Sequence, residues 1–142
     1  KEVTTEGGLN LDINKSYLKK VVTSLKKNGS RVSLFVEPSK LAILKASNLG
    51  ANCIEIHTGK FCNLVNENKK FKNELDKIGK AVAFGKKIGL EVHAGHGLTY
   101  KSAKILSRTR AINEFNIGHF LVGESIFIGL PNTIKKFKKI IK

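Results

Sequence analysis

The sequence predicts an α/β fold in which parallel strands alternate with helices. Three observations support this prediction: short apolar segments alternate with longer stretches of helical periodicity, glycines close most connections, and 41% of the residues are hydrophobic, enough to fill a core. Strands and helices joined in this order by short connections form right-handed βαβ units. The 142 residues match the usual length of one domain, about 100–200 residues, so we expect a single domain over residues 1–142.

The first half of the chain contains two predicted strands, each preceded by a helix. Apolar residues recur at helical spacing before Gly29, which supplies a left-handed stop, and Pro38 with Ser39 marks the start of a second helix. β-branched and aromatic residues mark the strands. The predicted elements are a helix over residues 12–28, a strand over 31–37, a helix over 38–50 and a strand over 51–58.

The second half continues the alternation. Gly89 ends a long amphipathic helix, and Pro131 occupies the first turn of a lysine-rich helix that runs to the end of the chain. Between these helices lie two further segments with strand character. The predicted elements are a helix over residues 67–88, a strand over 90–94, a helix over about 100–109, a strand over 114–121 and a helix from 131 onwards.

Side-chain alternation within the strands distinguishes a closed barrel from an open, doubly wound sheet. In ANCIEIHT (51–58), Cys53, Glu55 and His57 share one face, and two isoleucines share the other. A strand between two helical layers should be apolar on both faces, whereas a barrel lumen tolerates ionisable groups near its catalytic rim. LEVHA (90–94) shows the same division, so the pattern favours the barrel.

The number of strands predicts half of such a barrel. A complete (β/α)8 barrel takes about 250 residues, and four strands are half of its eight. The opening KEVTTEGG (1–8) looks like the end of a strand and its loop. We therefore predict the C-terminal half of a (β/α)8 (TIM) barrel, preceded in the intact protein by an N-terminal half. The open edges of a half-barrel would favour aggregation.

Composition limits the expected partners. Lys and Arg number 26 against 11 Asp and Glu, and the net charge of +15 favours anionic ligands such as phosphate esters. Arg is rare and Trp is absent, so the surfaces typical of nucleic-acid readers are sparse. Two cysteines without metal spacing fit a reducing cytoplasm. The apolar run 120–130 is shorter than the roughly 18 residues of a membrane span, so no membrane partner is expected.

The predicted site lies at the carboxyl ends of the last two strands, where parallel barrels place their active sites and often bind phosphate. One strand leads into Gly95, His96 and Gly97, and the helix after such a turn presents free N–H groups to an anion. The last strand leads into Gly118 and His119. Together the two turns predict a phosphate cradle, with His96 as a general acid.

Further ionisable side chains face the predicted lumen. An unpaired carboxylate is costly there, so Glu55 is expected either to pair with a Lys or His or to take part in chemistry. His57 has the same two interpretations, and a packing role is favoured for His93. No Ser-His-Asp pattern, HExxH motif or metal-spaced carboxylate cluster occurs in the sequence, so we expect no metal site.

Five segments in order resemble the pyridoxine 5′-phosphate synthase family over essentially the whole chain. They are VTTEGGL (3–9), VSLFV (32–36), IEIHTG (54–59), AGHGLTY (94–100) and NIGH (116–119). The resemblance implies a (β/α)8-barrel enzyme that condenses 3-amino-2-oxopropyl phosphate with 1-deoxy-D-xylulose 5-phosphate, releasing inorganic phosphate and water. It implies no metal or organic cofactor, and it implies a cytoplasmic homo-oligomer, octameric in the family.

The resemblance also assigns roles position by position. His96 matches the family's proton donor, and Glu55 matches its transition-state-stabilising carboxylate. The matched ligand-binding positions are Thr4, Gly97, Gly118 and His119. The family's other acid/base residues belong to the N-terminal half, so the chain alone is expected to be inactive. Two positions depart from the pattern: Glu37 stands where Asp is usual, and Glu124 where Arg is common.

Two other functions remain open. Another phosphate-binding barrel, an aldolase or isomerase, would need a lumenal base or a Schiff-base lysine, and Lys60 is the candidate near a strand end. A non-catalytic basic protein would bind nucleic acid through its lysines, with an affinity that falls steeply with salt.

Overall fold

The computed structural model describes residues 7–141. Four strands and seven helices lie within that range. In chain order they are α1 (Lys15–Lys27), β1 (Ser33–Val36), α2 (Lys40–Leu49), β2 (Cys53–His57), α3 (Gly59–Asn66), α4 (Lys72–Lys87), β3 (Glu91–Gly95), α5 (Tyr100–Leu106), β4 (Glu114–Asn116), α6 (His119–Ile128) and α7 (Leu130–Ile140). The predicted α/β fold, with parallel strands alternating with helices, is confirmed.

The strand order identifies the kind of sheet. Each strand pairs with the next one along the chain, in the order β1-β2-β3-β4, and every pairing is parallel. A doubly wound sheet reverses its strand order at a switch point, whereas a barrel adds strands consecutively. The sheet is therefore consistent with part of a (β/α)8 barrel.

The two faces of the sheet differ as the alternation predicts. Ile54, Ile56 and Val92 are fully buried beneath the helices, whereas Glu55 and His57 on the opposite face are only partly buried. The parallel register places Glu55 beside His93 of the next strand. The core therefore lies between sheet and helices, and the ionisable side chains line the face that corresponds to a barrel lumen.

Side-chain hydrogen bonds cap the N-termini of α2 and α5 and so fix where the preceding loops end. Ser39 Oγ accepts the Ala42 N–H at 3.1 Å, which caps α2. A reciprocal capping box begins α5: Thr99 Oγ1 accepts the Ser102 N–H at 3.4 Å, and Ser102 Oγ accepts the Thr99 N–H at 2.8 Å. This box fixes the end of the turn that carries His96.

Two predicted boundaries are wrong by several residues, and one helix was not predicted. The strand predicted over 114–121 ends at Asn116, and α6 begins at His119. Residues 119–128 show no division into a polar and an apolar side, so periodicity does not mark them as a helix. The short helix α3 was not predicted, and the helix predicted from residue 67 begins at Lys72.

Within residues 7–141, no helix is both long enough and apolar enough to cross a membrane.

Candidate active site

The turn between β3 and α5 is held in an unusual conformation. His96 has φ = 77°, a left-handed value that is uncommon for a residue other than glycine, and Gly97 follows with the same φ. Thr58, which is 1% exposed, holds the turn. Its N–H donates to Gly95 O at 2.9 Å, and its hydroxyl lies 2.7 Å from that oxygen and 2.8 Å from His96 O. The turn therefore keeps the exposed His96 side chain beyond the end of β3.

The turns after β3 and β4 line one cavity of about 560 Å³. His96 and Gly97 lie on one side of it, and Gly118 and His119 lie on the other. Parallel neighbouring strands carry their carboxyl ends to the same edge of a sheet, which explains why the two turns meet. The structure thus brings four of the sequence-predicted site residues together.

The α6 N-terminus forms one wall of this cavity. Gly118 is its N-cap and has no side chain that could satisfy the first-turn amides. Those amides have no partners within the helix, and the helix dipole adds partial positive charge at this end. A helix N-terminus of this kind can bind a phosphate group.

Glu55 is held against the same wall. Its Oε2 accepts a hydrogen bond of 2.7 Å from Asn116 Nδ2, and Asn116 lines the cavity. The other oxygen lies over Gly95, where a methyl group would collide with it. The carboxylate therefore pairs with an amide rather than with the Lys or His that the sequence suggested.

A second carboxylate meets His57 at the ends of β1 and β2. Glu37 Oε1 lies 2.7 Å from His57 Nδ1 and accepts the Gly8 N–H at 2.9 Å. Burial alone would raise the pKa of Glu37, but the hydrogen bonds from Gly8 and His57 together outweigh it, so the pKa lies below its ordinary value. The His57 ring lies 4.9 Å from the His96 ring, centroid to centroid.

His93 lies beside Glu55 in the strand register but makes its polar contacts toward the start of the strands. It is 4% exposed, with Nε2 3.0 Å from Glu91 Oε1 and Nδ1 3.7 Å from Glu114 Oε1. Hydrogen bonds from Arg31 and His93 lower the pKa of the Glu91 carboxyl. These contacts join His93 to carboxylates nearer the start of the strands, in keeping with the packing role favoured for it.

The remaining predicted positions lie elsewhere. Thr4 lies outside the described residues. Lys60 pairs with Glu74 of α4 at 2.6 Å and is itself largely exposed, so it is directed toward the helical layer rather than the lumen. Glu124 lies 3.7 Å from Lys136 on α7, which gives this departure from the family pattern a local ion-pair partner.

Sequence reasoning missed two supporting side chains, Thr58 and Asn116. Thr58 is a polar residue at the carboxyl end of a predicted strand, and that position was the available signal, whereas Asn116 ends β4 only as the structure defines it. The hydrogen bond of Thr58 reaches Gly95, which is 37 positions away, and that of Asn116 reaches Glu55, which is 61 positions away. Periodicity along the chain does not reveal pairs that are so distant. Within residues 7–141, no group of three or more His, Cys, Asp or Glu side chains is arranged to hold a metal ion.

Consecutive parallel strands with polar groups at their carboxyl ends define the class: the chain is part of a protein of the (β/α)8-barrel type. Comparison with known proteins then identifies the family. The family model described as "Pyridoxal phosphate biosynthesis protein PdxJ" matches residues 1–142, and the chain belongs to that family. The resemblance drawn from five sequence segments is thereby confirmed.

Curated relatives named pyridoxine 5′-phosphate synthase align with 99% of the chain. The protein from Pelagibacter ubique is 54% identical over 140 residues, which are 59% of its length. The Zymomonas mobilis protein is 46% identical over 54% of its length, and the Sulfurihydrogenibium protein is 41% identical over 57%. The chain therefore spans somewhat more than half the length of these relatives.

Proposed function

We propose that this chain forms the phosphate-binding rim and part of the acid/base machinery of a pyridoxine 5′-phosphate synthase. The proposed reaction condenses 3-amino-2-oxopropyl phosphate with 1-deoxy-D-xylulose 5-phosphate and releases inorganic phosphate and water. Membership of the PdxJ family and the names of the curated relatives support it. The single observation that carries it is the cavity that the turns after β3 and β4 share.

Phosphate binding is proposed for the α6 side of the cavity. Gly118 and His119 lie at the helix N-terminus, where free amides and the dipole favour a dianion. Gly97 lines the same cavity from the other turn, with a left-handed φ of 77° that glycine adopts readily. Both proposed substrates carry a phosphate group, so one such rim serves this chemistry.

His96 is the proposed proton donor. Its imidazole lies at the cavity edge, and imidazole is the side chain best suited to exchange protons near neutral pH. A donor at this position could protonate the oxygen of the departing phosphate. Thr58 supports that role because it holds the left-handed turn from which His96 projects.

Glu55 is the proposed electrostatic stabiliser. Ring closure passes through iminium-like cations, which a fixed carboxylate in a partly dry lumen would favour. The hydrogen bond from Asn116 orients this carboxylate beside the cavity wall. No proton transfer is assigned to it.

The remainder of the enzyme is proposed to lie outside this chain. The other acid/base residues of the family pattern have no counterparts in residues 1–142, so the chain alone should turn over little or no substrate. We further propose that residues 1–142 form one partial-barrel domain and that the intact protein is a cytoplasmic homo-oligomer.

A chimera tests the function. The 140 matched residues of this chain would replace their counterparts in the Pelagibacter ubique relative, and phosphate release and pyridoxine 5′-phosphate formation would be measured. We expect turnover in the chimera, a loss of about 10²–10⁴-fold with His96→Ala, and full turnover with Lys60→Ala, the control for a Schiff-base mechanism.

Two results would contradict the proposal: a chimera folded by circular dichroism but inactive, or a His96→Ala chimera with unchanged phosphate release. If the chimera does not fold, the chain itself supplies the test. Inorganic phosphate should then shift the amide NMR signals of Gly97, Gly118 and His119, and unshifted signals would count against the proposed rim.

A further inference from the structure

Glu37, His57 and His96 form a row across the carboxyl ends of β1, β2 and β3. Glu37 Oε1 lies 2.7 Å from His57 Nδ1, and the rings of His57 and His96 meet edge to face at 4.9 Å. Phe35 packs against the His57 ring at 5.3 Å and covers it from the lumenal side of β1. The resemblance to the family assigns no role to Glu37 or His57.

The contact with Glu37 determines which His57 nitrogen carries a proton. An ionised carboxylate only accepts hydrogen bonds, so Nδ1 must donate its proton to Glu37. Glu37 is ionised at neutral pH, because the Gly8 amide and His57 stabilise its charged form. In the neutral imidazole, Nε2 then has a free lone pair.

That lone pair is enclosed. His57 Nε2 is buried and, within residues 7–141, has no hydrogen-bond partner. A Cβ on Gly59 would lie 2.6 Å from His57 Nε2 and 2.7 Å from His96 Cδ2, so both imidazoles close on the same point at the start of α3. The His96 ring therefore adjoins the enclosed nitrogen.

We propose that His57 is a positioning residue for His96: held by Glu37, it offers its buried Nε2 lone pair to one ring N–H of the His96 imidazolium, whose other ring N–H is then the one donated to the leaving oxygen. An unsatisfied buried acceptor is costly, and the exposed His96 ring, whose centroid lies 4.9 Å from that of His57, is the donor that we infer for it. The inference rests on the proposed role of His96 as the proton donor.

The tautomer of His57 is the first test, and it needs no catalysis. In the full chain labelled with ¹⁵N-histidine, long-range ¹⁵N–¹H NMR spectra show which ring nitrogen bears hydrogen. We expect His57 to carry its proton on Nδ1 at neutral pH. Glu37→Gln should weaken this preference, because an amide can donate as well as accept.

Glu67→Gln is the matched control, since it removes an exposed carboxylate whose partner is Lys69. It should leave the His57 tautomer unchanged. A wild-type His57 protonated on Nε2, or a tautomer insensitive to Glu37→Gln, would overturn the proposal.

Gly59→Ala is the second test. Alanine suits a helix better than glycine, so the helix itself should tolerate the change, but the new methyl group would force the two imidazoles apart. We expect shifted His96 ring signals in the chain and, in the active chimera, a kcat lower by at least about tenfold with KM little changed. Gly79→Ala on α4, where a Cβ meets nothing within 4 Å among the described residues, should change neither.

Unchanged His96 signals and unchanged kcat in Gly59→Ala would refute the positioning role. An inactive wild-type chimera would instead refute the proposed function. The tautomer and ring-signal measurements on the chain would still decide whether Glu37 and His57 position His96.

Discussion

Three glycines near the cavity satisfy different steric requirements. Gly97 needs a left-handed φ of 77°, which favours glycine on conformational grounds. Gly95 and Gly59 have no such φ, and they are glycine because side chains approach them: Glu55 covers Gly95, and two imidazoles close on Gly59. The geometry of the candidate site therefore requires glycine at these three positions as well as the functional side chains around them.

Replacing Gly95 should disturb the candidate site directly. In Gly95→Ala the methyl group must displace the Glu55 carboxylate and break its bond to Asn116, at a cost of about 1–3 kcal/mol in the free energy of unfolding. Chemical denaturation measures this cost. In a Glu55→Ala background the same substitution should cost much less, and an equal cost in both backgrounds would show that the clash lies elsewhere.

Glu37 should contribute to stability only above acidic pH. Its folded pKa lies below the ordinary value of 4.5, so its contribution is complete above that value and is lost as pH falls through the folded pKa. The unfolding free energy of the wild type and of Glu37→Gln would be compared from about pH 7 to pH 3. Their difference should shrink toward the acid end, and a difference that stays constant would contradict the assignment.

At the scale of elements, α6 explains both a wrong prediction and the geometry of the cavity. Ile126 and Phe127 are 80% and 84% exposed, and residues 119–128 carry apolar side chains on all sides. This composition hides helical periodicity, so the segment could be mistaken for the end of a strand. Its true start at His119 places a helix N-terminus, rather than a strand, beside the turn of His96.

A branched side chain at Gly118 should obstruct ligand binding without unfolding the chain. A Cβ there meets nothing within 4 Å among the described residues, so Val would extend into open space at the cavity. We expect Gly118→Val to weaken binding of phosphorylated substrate to the chimera by at least about tenfold, measured by calorimetry. Gly123→Val in the same helix is the control, and equal affinities for all three proteins would remove this turn from the binding site.

At the scale of the whole molecule, the charge and the candidate site are separate. The net charge is +15, and α1 and α7 carry lysines in their last turns, whereas no Lys or Arg is among the described residues that line the cavity. Main-chain amides, histidines and the side chains of Asn and Thr residues provide its donors instead. The excess of lysine therefore attracts anions in general and does not locate the proposed phosphate rim.

Binding of duplex DNA would distinguish the general attraction of anions by the lysines from binding at the cavity. We expect the chain to bind DNA without sequence preference, with a Kd of about 10⁻⁴–10⁻⁶ M at physiological salt and a log affinity that falls linearly with log salt. His96→Ala should leave that affinity unchanged, as a fluorescence anisotropy titration would show. Sequence-specific binding tighter than about 10⁻⁷ M at physiological salt would favour the nucleic-acid function instead.

The sequence by itself determined the alternation of elements, the parallel sheet and its polar lumenal face, because hydrophobic periodicity and glycine placement are local properties. It also indicated the two turns and His96. Only the tertiary structure decided that Asn116 holds Glu55, that Thr58 holds the His96 turn, and that Glu37 and His57 lie beside it. These contacts join residues that are distant in the chain and depend on strand register and helix start, which a local pattern does not contain.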